Sequence, residues 1–162
     1  MEIEIIEYQP LYAKEFERLN ISWLEKYFVV EPYDAKVLAN PDEFIIAQNG
    51  RILLARQGDK IVGTVALMYH GEQIEVTKMA VDEKAQGQGI GKMLMQKAID
   101  EARKMQPEKI FLLTSSKLQT ANAIYEKFGF LLMPLEPDDN TIYARCDRRW
   151  ELPLEADSKA IA

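Results

Sequence analysis

Three strand-like segments follow one another with no room for a helix between them: residues 51–57, 60–69 and 73–81. Asn49-Gly50 precedes the first, Gly58-Asp59 separates the first two, and Gly71 separates the last two. Such short connections force antiparallel neighbours, because a parallel crossover needs roughly a dozen residues or more. The middle segment is apolar at both parities, with Ile61, Val65 and Leu67 on one and Val62, Ala66 and Met68 on the other. A strand apolar on both faces lies between two covering layers. The rest of the chain must therefore supply helices to both sides of a sheet.

It does so on either flank. Residues 2–8 alternate apolar and acidic and read as a strand. Pro10 opens a helical pattern in which Leu11, Phe16, Leu19, Trp23, Leu24 and Tyr27 recur at spacings of three and four. A second short helix fits between Pro32 and Pro41. Residues 89–105 place Ile90, Leu94, Ala98 and Ala102 on one helical stripe that Pro107 ends. Ile110-Phe-Leu-Leu113 is a short apolar strand, expected parallel to the strand at 73–81. Ser116-Lys-Leu-Gln119 has the form of a capping box, and the helix after it runs to Phe128 with Gly129 at its C′ position. Residues 130–135 and 142–152 are expected to close the sheet as a hairpin. The order β-α-α-β-β-β-α-β-α-β-β describes an α/β (α+β) fold with a mixed sheet and helices on both faces. Residues 1–154 read as one domain and residues 155–162 as a loose tail.

Composition excludes several function classes. The 162 residues are 48% hydrophobic and 28% charged, which is neither disordered nor membrane-like. The start, Met1-Glu-Ile-Glu-Ile-Ile-Glu, lacks the basic and apolar character of a signal peptide. The single cysteine, Cys146, rules out an intrachain disulfide and a cysteine metal cluster, and a reducing cytoplasm is expected. Cys146 itself reads as a small buried hydrophobe. His70, the only histidine, lies near a predicted turn, where a solvated ring is expected. A net charge of −6 argues against nucleic-acid binding, and no apolar run is long enough to span a membrane.

One segment implies a ligand. An apolar strand ends at Val81, three alternating glycines follow (Gly87, Gly89 and Gly91), and a helix begins at once. Backbone N–H groups in such a loop, at a helix N-terminus, bind phosphate. A Walker A loop would need glycine where Gln86 stands and a hydroxyl where Met93 stands. A dinucleotide fingerprint starting at Gly87 would need glycine where Lys92 stands. What is present is Gln86-Gly-Gln-Gly-Ile-Gly91, or Gln-x-x-Gly-x-Gly.

That segment resembles motif A of the GNAT superfamily of acyl-CoA-dependent N-acetyltransferases, including the strand end at Lys78-Met-Ala-Val81. Asn122-Ala-Ile-Tyr-Glu-Lys-Phe-Gly-Phe130 looks like its motif B. The resemblance implies a GNAT-like, mostly antiparallel sheet of about seven strands and acetyl-CoA or coenzyme A as cosubstrate, with no metal. In the family's pattern, residues 87–92 (Gly87, Gln88, Gly89, Ile90, Gly91 and Lys92) hold the pyrophosphate, and Gln86 steadies the loop. The backbone of Met79, Ala80 and Val81 pairs with the pantetheine arm, and Asn122 hydrogen-bonds it. Tyr125 takes the place of the general acid beside the thiol, and Glu75 that of the base for the amine. The alternation of the strand breaks between Val76 and Met79, which predicts a bulge near Thr77–Met79.

The implied reaction is acetyl transfer to a primary amine of a small molecule or peptide, by direct attack. Residues 20–40, with Trp23, Glu25, Tyr27, Glu31, Tyr33 and Asp34, are expected over the acceptor. Aromatics and carboxylates suit an amine there and equally suit an ordinary amphipathic helix pair. A non-catalytic acyl-CoA-binding module is the competing reading; it would need neither Glu75 nor Tyr125. Members of the family commonly pair as homodimers through sheet edges or C-terminal strands.

Overall fold

The computed structural model describes residues 2–139, 141 and 143–154. A seven-stranded sheet forms the centre, in the order β1-β2-β3-β4-β5-β7-β6. The strands are β1 (Ile3–Glu7), β2 (Arg51–Gln57), β3 (Lys60–His70), β4 (Gln73–Val81), β5 (Lys109–Thr114), β6 (Leu131–Met133) and β7 (Arg148–Leu152). The helices are α1 (Ala13–Tyr27), α2 (Pro32–Ala39), α3 (Pro41–Phe44), α4 (Ile90–Lys104) and α5 (Gln119–Lys127). As expected, β2, β3 and β4 form an antiparallel meander and β5 runs parallel to β4. The short α3 adds one turn that the sequence pattern did not separate from its surroundings.

Each face of the sheet carries its own core. On one, Ile90, Leu94, Ala98 and Ala102 of α4 pack on Val65, Leu67, Ile74 and Val76. Helix α4 rides so close over Gly63 that a Cβ there would stand 2.9 Å from Leu94 Cδ1. On the other face, Phe16, Leu19 and Leu24 of α1 and Val37 and Leu38 of α2 pack on Ile52, Leu54, Ala66 and Met68. Among the described residues no helix is long and apolar enough to cross a membrane.

Two departures from simple alternation matter for the site. In β3, Val62 shares a face with Val65 and Leu67, while Ile61 joins Ala66 and Met68. This reverses the expected faces of Ile61 and Val62. The cause is a register shift against β2: Ala55 opposes Gly63 and Arg56 opposes Ile61, leaving Val62 as the extra residue. In β4 the predicted bulge is present: Thr64 opposes Ala80 and Ala66 opposes Thr77, so Lys78 and Met79 together face Val65. Lys78 adopts φ 55°, in the left-handed region.

The C-terminal part corrects three expectations. Residues 116–119 form no capping box; the Ser116 N–H and hydroxyl both donate to Asp147, each at 2.7 Å, and α5 begins at Gln119 without a side-chain cap. The closing strands are antiparallel but shorter than expected, and β7 lies between β5 and β6. Residues 143–147 are not strand; they loop back toward α2. Position 142 and the expected tail at 155–162 lie outside the described residues. Gly129 does terminate α5 as expected: with φ 96° it lets Gly129 N–H donate to the Glu126 carbonyl and Phe130 N–H to the Tyr125 carbonyl.

Candidate active site

The sheet splits in its middle. Strands β4 and β5 pair only from Gln73 to Glu75 and from Lys109 to Phe111. A cavity of about 940 Å³ lies along the remainder, lined by residues 76–81 of β4 and 112–115 at the end of β5. The bulge at Lys78 turns β4 away from its parallel neighbour, and β5 stays with β7 on its other side.

One end of the cavity is the glycine loop. Gln86, Gly87, Gly89, Ile90, Gly91 and Lys92 all line it. Gly87 and Gly89 have φ 85° and 77°, and Gly89 is the residue that caps α4. A Cβ at either position would meet nothing within 4 Å, so the glycines serve backbone conformation and leave the loop open to a ligand. With α4 running 15 residues behind it, this N-terminus is suited to an anion. Gln88 does not line the cavity. Its side chain accepts from Gln57 Nε2 at 3.0 Å and donates to the Ala85 carbonyl at 3.2 Å, tying the loop to β2.

The middle holds Met79, Ala80, Val81 and Tyr125. Tyr125 packs edge-on against Phe130 and Trp150, with ring centroids 6.2 and 6.3 Å away. Burial raises its pKa above the ordinary phenol value, opposed by a hydrogen bond with Thr114. Asn122 departs from its expected place. It is buried and does not line the cavity; its amide donates to the Ser115 and Leu118 carbonyls at 3.0 and 2.7 Å and accepts from Trp150 Nε1 at 2.8 Å. Those bonds occupy the amide in fixing the start of α5 against β7, and thereby set where Tyr125 stands one turn later.

The far end is charged and buried. Glu75, 5% exposed, accepts from His70 Nε2 at 2.7 Å. The histidine ring is solvated at the turn as expected, its side chain 44% exposed, and it carries this bond to Glu75 besides. The bond to Glu75 raises the His70 pKa above its ordinary value, against the opposing effect of burial. His70 also lines a second, smaller cavity beside Tyr33, Phe44 and Met68, so it stands between Glu75 and that opening.

Beyond Glu75, Arg145 reaches the N-terminus of α2. Its guanidinium donates to both Asp34 carboxylate oxygens, at 2.8 and 2.9 Å, and to Glu31 Oε2 at 2.9 Å. Asp34 also accepts from the Glu31 N–H at 2.9 Å. Burial alone would raise the Asp34 pKa; the bonds from Arg145 and Glu31 and the charge of Lys78 outweigh it and hold the carboxyl below the usual range. The clamp brings Tyr143, Arg145 and Cys146 to the cavity wall. Burial pushes the Cys146 thiol up to about 11, so it is protonated at neutral pH and a poor nucleophile. Trp23, Tyr27 and Asp34, expected over the acceptor, line the cavity, while Tyr33 lines the second opening and Glu31 serves the clamp.

Sequence reasoning missed Lys78, Tyr143 and Arg145 as a group, and the pairing of His70 with Glu75. A charged residue at the break in β4 alternation was a signal for Lys78. Arg145 gave none, since Asp34 lies 111 positions away.

Comparison with known proteins fixes the family. A model described as the acetyltransferase (GNAT) family matches residues 10–130. An uncharacterized N-acetyltransferase of Bacillus subtilis (strain 168), YvbK, is 30% identical over 112 residues, 67% of this chain and 72% of that protein. The chain belongs to the GNAT family of acetyltransferases. A GNAT acetyltransferase structure from Staphylococcus aureus Mu50 superposes with TM-score 0.84 at 25% identity, covering 95% of this chain and all of that one. PaiA N-acetyltransferase from Thermoplasma acidophilum, solved in complex with coenzyme A, shares the fold with TM-score 0.71 at 16% identity, over 94% of this GNAT chain and 99% of its own.

Proposed function

We propose that this GNAT protein binds acetyl-CoA along the β4–β5 split and transfers its acetyl group to a primary amine held at the Glu75 end. The observation that carries this reading is the continuity of one cavity from the glycine loop, past Met79 and Tyr125, to Glu75. The residues present fit the cosubstrate. Loop N–H groups at residues 87–92 take the pyrophosphate, and Lys92 adds charge at the rim. The split offers the β4 edge at 79–81 to an extended amide-bearing arm, as a strand offers its edge to another.

An alkyl ammonium has a pKa near 10.4, roughly 3 units above neutral pH, so freeing the amine costs about 4 kcal/mol. Glu75 receives that proton. His70, through its Nε2 hydrogen bond, orients that carboxylate, and the proton then passes from Glu75 to solvent. A backbone N–H at the Lys78–Met79 bulge meets the thioester oxygen as negative charge gathers there. Tyr125, held above the usual phenol value, is a weaker acid than a thiol of pKa about 8.5. It therefore hydrogen-bonds the departing thiolate while keeping its own proton. The protonated state of Cys146 favours direct transfer over a route through an acylated cysteine.

The test is release of free thiol from acetyl-CoA with a panel of primary amines. Acceptor-dependent release is expected. Calorimetric binding of acetyl-CoA without release on any acceptor would replace this reading with that of a binding module. No heat at high micromolar acetyl-CoA would remove both.

A further inference from the structure

Lys78 is held at a cost. It occupies the left-handed region at φ 55°, which disfavours residues bearing a Cβ, and its side chain is only 5% exposed. Its ammonium donates to Tyr143 Oη at 2.7 Å and lies 3.5 Å from Asp34 Oδ1. Among the described residues no further partner stands within hydrogen-bond range. Burial lowers its basicity, only partly offset by Asp34 and Glu75 and further reduced by Arg145.

Arg145 already holds Asp34 by two short bonds, and the contact of Lys78 with it is the longer one, at 3.5 Å. The group formed by Glu31, Asp34, Lys78 and Arg145 has two acids and two bases and is neutral by itself. Tyr143 Oη accepts from Lys78, and its own proton has no partner among the described residues. One ammonium N–H and one phenol O–H thus remain for a ligand in a cavity that both residues line. Backbone strain and buried donors left without a described partner, gathered at one wall, point to a binding function.

Glu75 lies three positions earlier on the same strand and lines the same cavity. A plain cationic amine at Glu75 would leave both of these donors unused. An amine that also carries a carboxylate would occupy them, with its ammonium beside Glu75 and its carboxylate on Lys78 and Tyr143.

We infer that the acceptor carries a carboxylate within a few bonds of its reacting amine, as an amino acid does, and that Lys78 with Tyr143 binds that carboxylate. This rests on the reading of the Glu75 end as the acceptor end. The aromatic side chains of Trp23, Tyr27 and Phe28, which line the same cavity, then face the remainder of the molecule.

The experiment compares matched acceptors on the full chain: L-phenylalanine with phenethylamine, L-leucine with isopentylamine, and L-glutamate with 4-aminobutyrate. In every pair the α-carboxylate is removed; in the third a distal carboxylate remains on both members. Thiol release should give the amino acid a kcat/KM about ten- to a hundredfold above its counterpart in at least one pair, the worth of a charge-assisted hydrogen bond. Lys78→Met should bring that ratio to about one, and Tyr143→Phe should reduce it part-way. Amines lacking the carboxylate used as well as or better than the amino acids by the unaltered protein would overturn the inference. So would Lys78→Met lowering both members of a pair equally. The comparison on the unaltered protein needs no variant and stands even if Lys78→Met does not fold. Turnover of no amine at all, with acetyl-CoA still bound, would remove the underlying acetyl-transfer reading, and this inference with it.

Discussion

At the glycine-loop end of the cavity the protein offers backbone; at the Glu75 end it offers side chains. Residues 86–92 are contiguous, mostly exposed, and lead into the first turn of a single helix. Glu31, Asp34, Glu75, Lys78, Tyr143 and Arg145 come from three separated stretches, and most of their charged atoms are hidden from water. The first arrangement suits a ligand part that never varies. The second is sensitive to each side chain, and exchanging one residue changes what it accepts without disturbing the loop.

The two ends should therefore fail differently. The largest expected effect is on chemistry: Glu75→Gln should lower kcat/KM for the acceptor by about 10²–10⁴, the usual worth of a positioned base, in thiol-release assays. Calorimetry should show acetyl-CoA affinity changed far less, because the loop is remote from the change. Next is stability. Asp34→Ala leaves Arg145 and Lys78 facing each other with one acid fewer, and should cost about 3–5 kcal/mol in denaturant unfolding. The sign with pH follows: Asp34 is held below the usual range, so its contribution is present above its unfolded value and is lost as pH falls through the folded one.

At the other end, Gly89→Val places a β-branched residue at φ 77°, a strain of about 1–2 kcal/mol that also misdirects the loop N–H groups. Acetyl-CoA affinity should fall at least about tenfold while the melting temperature moves by only a few degrees. Tyr125→Phe should lower kcat up to about tenfold, the loss of one hydrogen bond, with KM for acetyl-CoA nearly unchanged. Equal turnover would take Tyr125 out of the mechanism.

The smallest effect is on a pH limb. Protonated His70 pairs with the Glu75 carboxylate and weakens it as a base, and the His70 pKa lies above its ordinary value of about 6.5. The acceptor kcat/KM should therefore rise with pH through that raised value. In His70→Gln that limb should be lost. An unmoved limb would show that His70 does not tune Glu75.

The same contrast explains what could be read in advance. The meander, the parallel β5, helix α4 and the bulge in β4 follow from local periodicity and its interruptions. Gly87, Gly89 and Gly91 were visible because a loop at a helix start is a local object. Asn122 was visible as a motif member, but its use was not: whether an amide faces a ligand or Trp150 depends on where β7 lies, and β7 enters the sheet from 28 residues away. Strand β7 lies between β5 and β6, and Arg145, just before it, meets Glu31 and Asp34 of the distant α2 start. No periodicity encodes a pairing across 111 positions.

The split between β4 and β5 has a consequence for the life of the protein as well as for its chemistry. Beyond Glu75 and Phe111, two inner margins of the sheet carry amides that the β4–β5 ladder does not shield. On the proposed reading, a cosubstrate seated there would bridge the gap and join two halves of the sheet into one cooperative unit. Binding at a hundred times Kd would add about 2.7 kcal/mol to folding. Amide exchange along residues 76–81 and 112–114 would then slow more than elsewhere, and proteases would meet the opened chain less often. On this view the metabolic supply of acetyl groups sets how long each copy of the protein survives, as well as how fast it works.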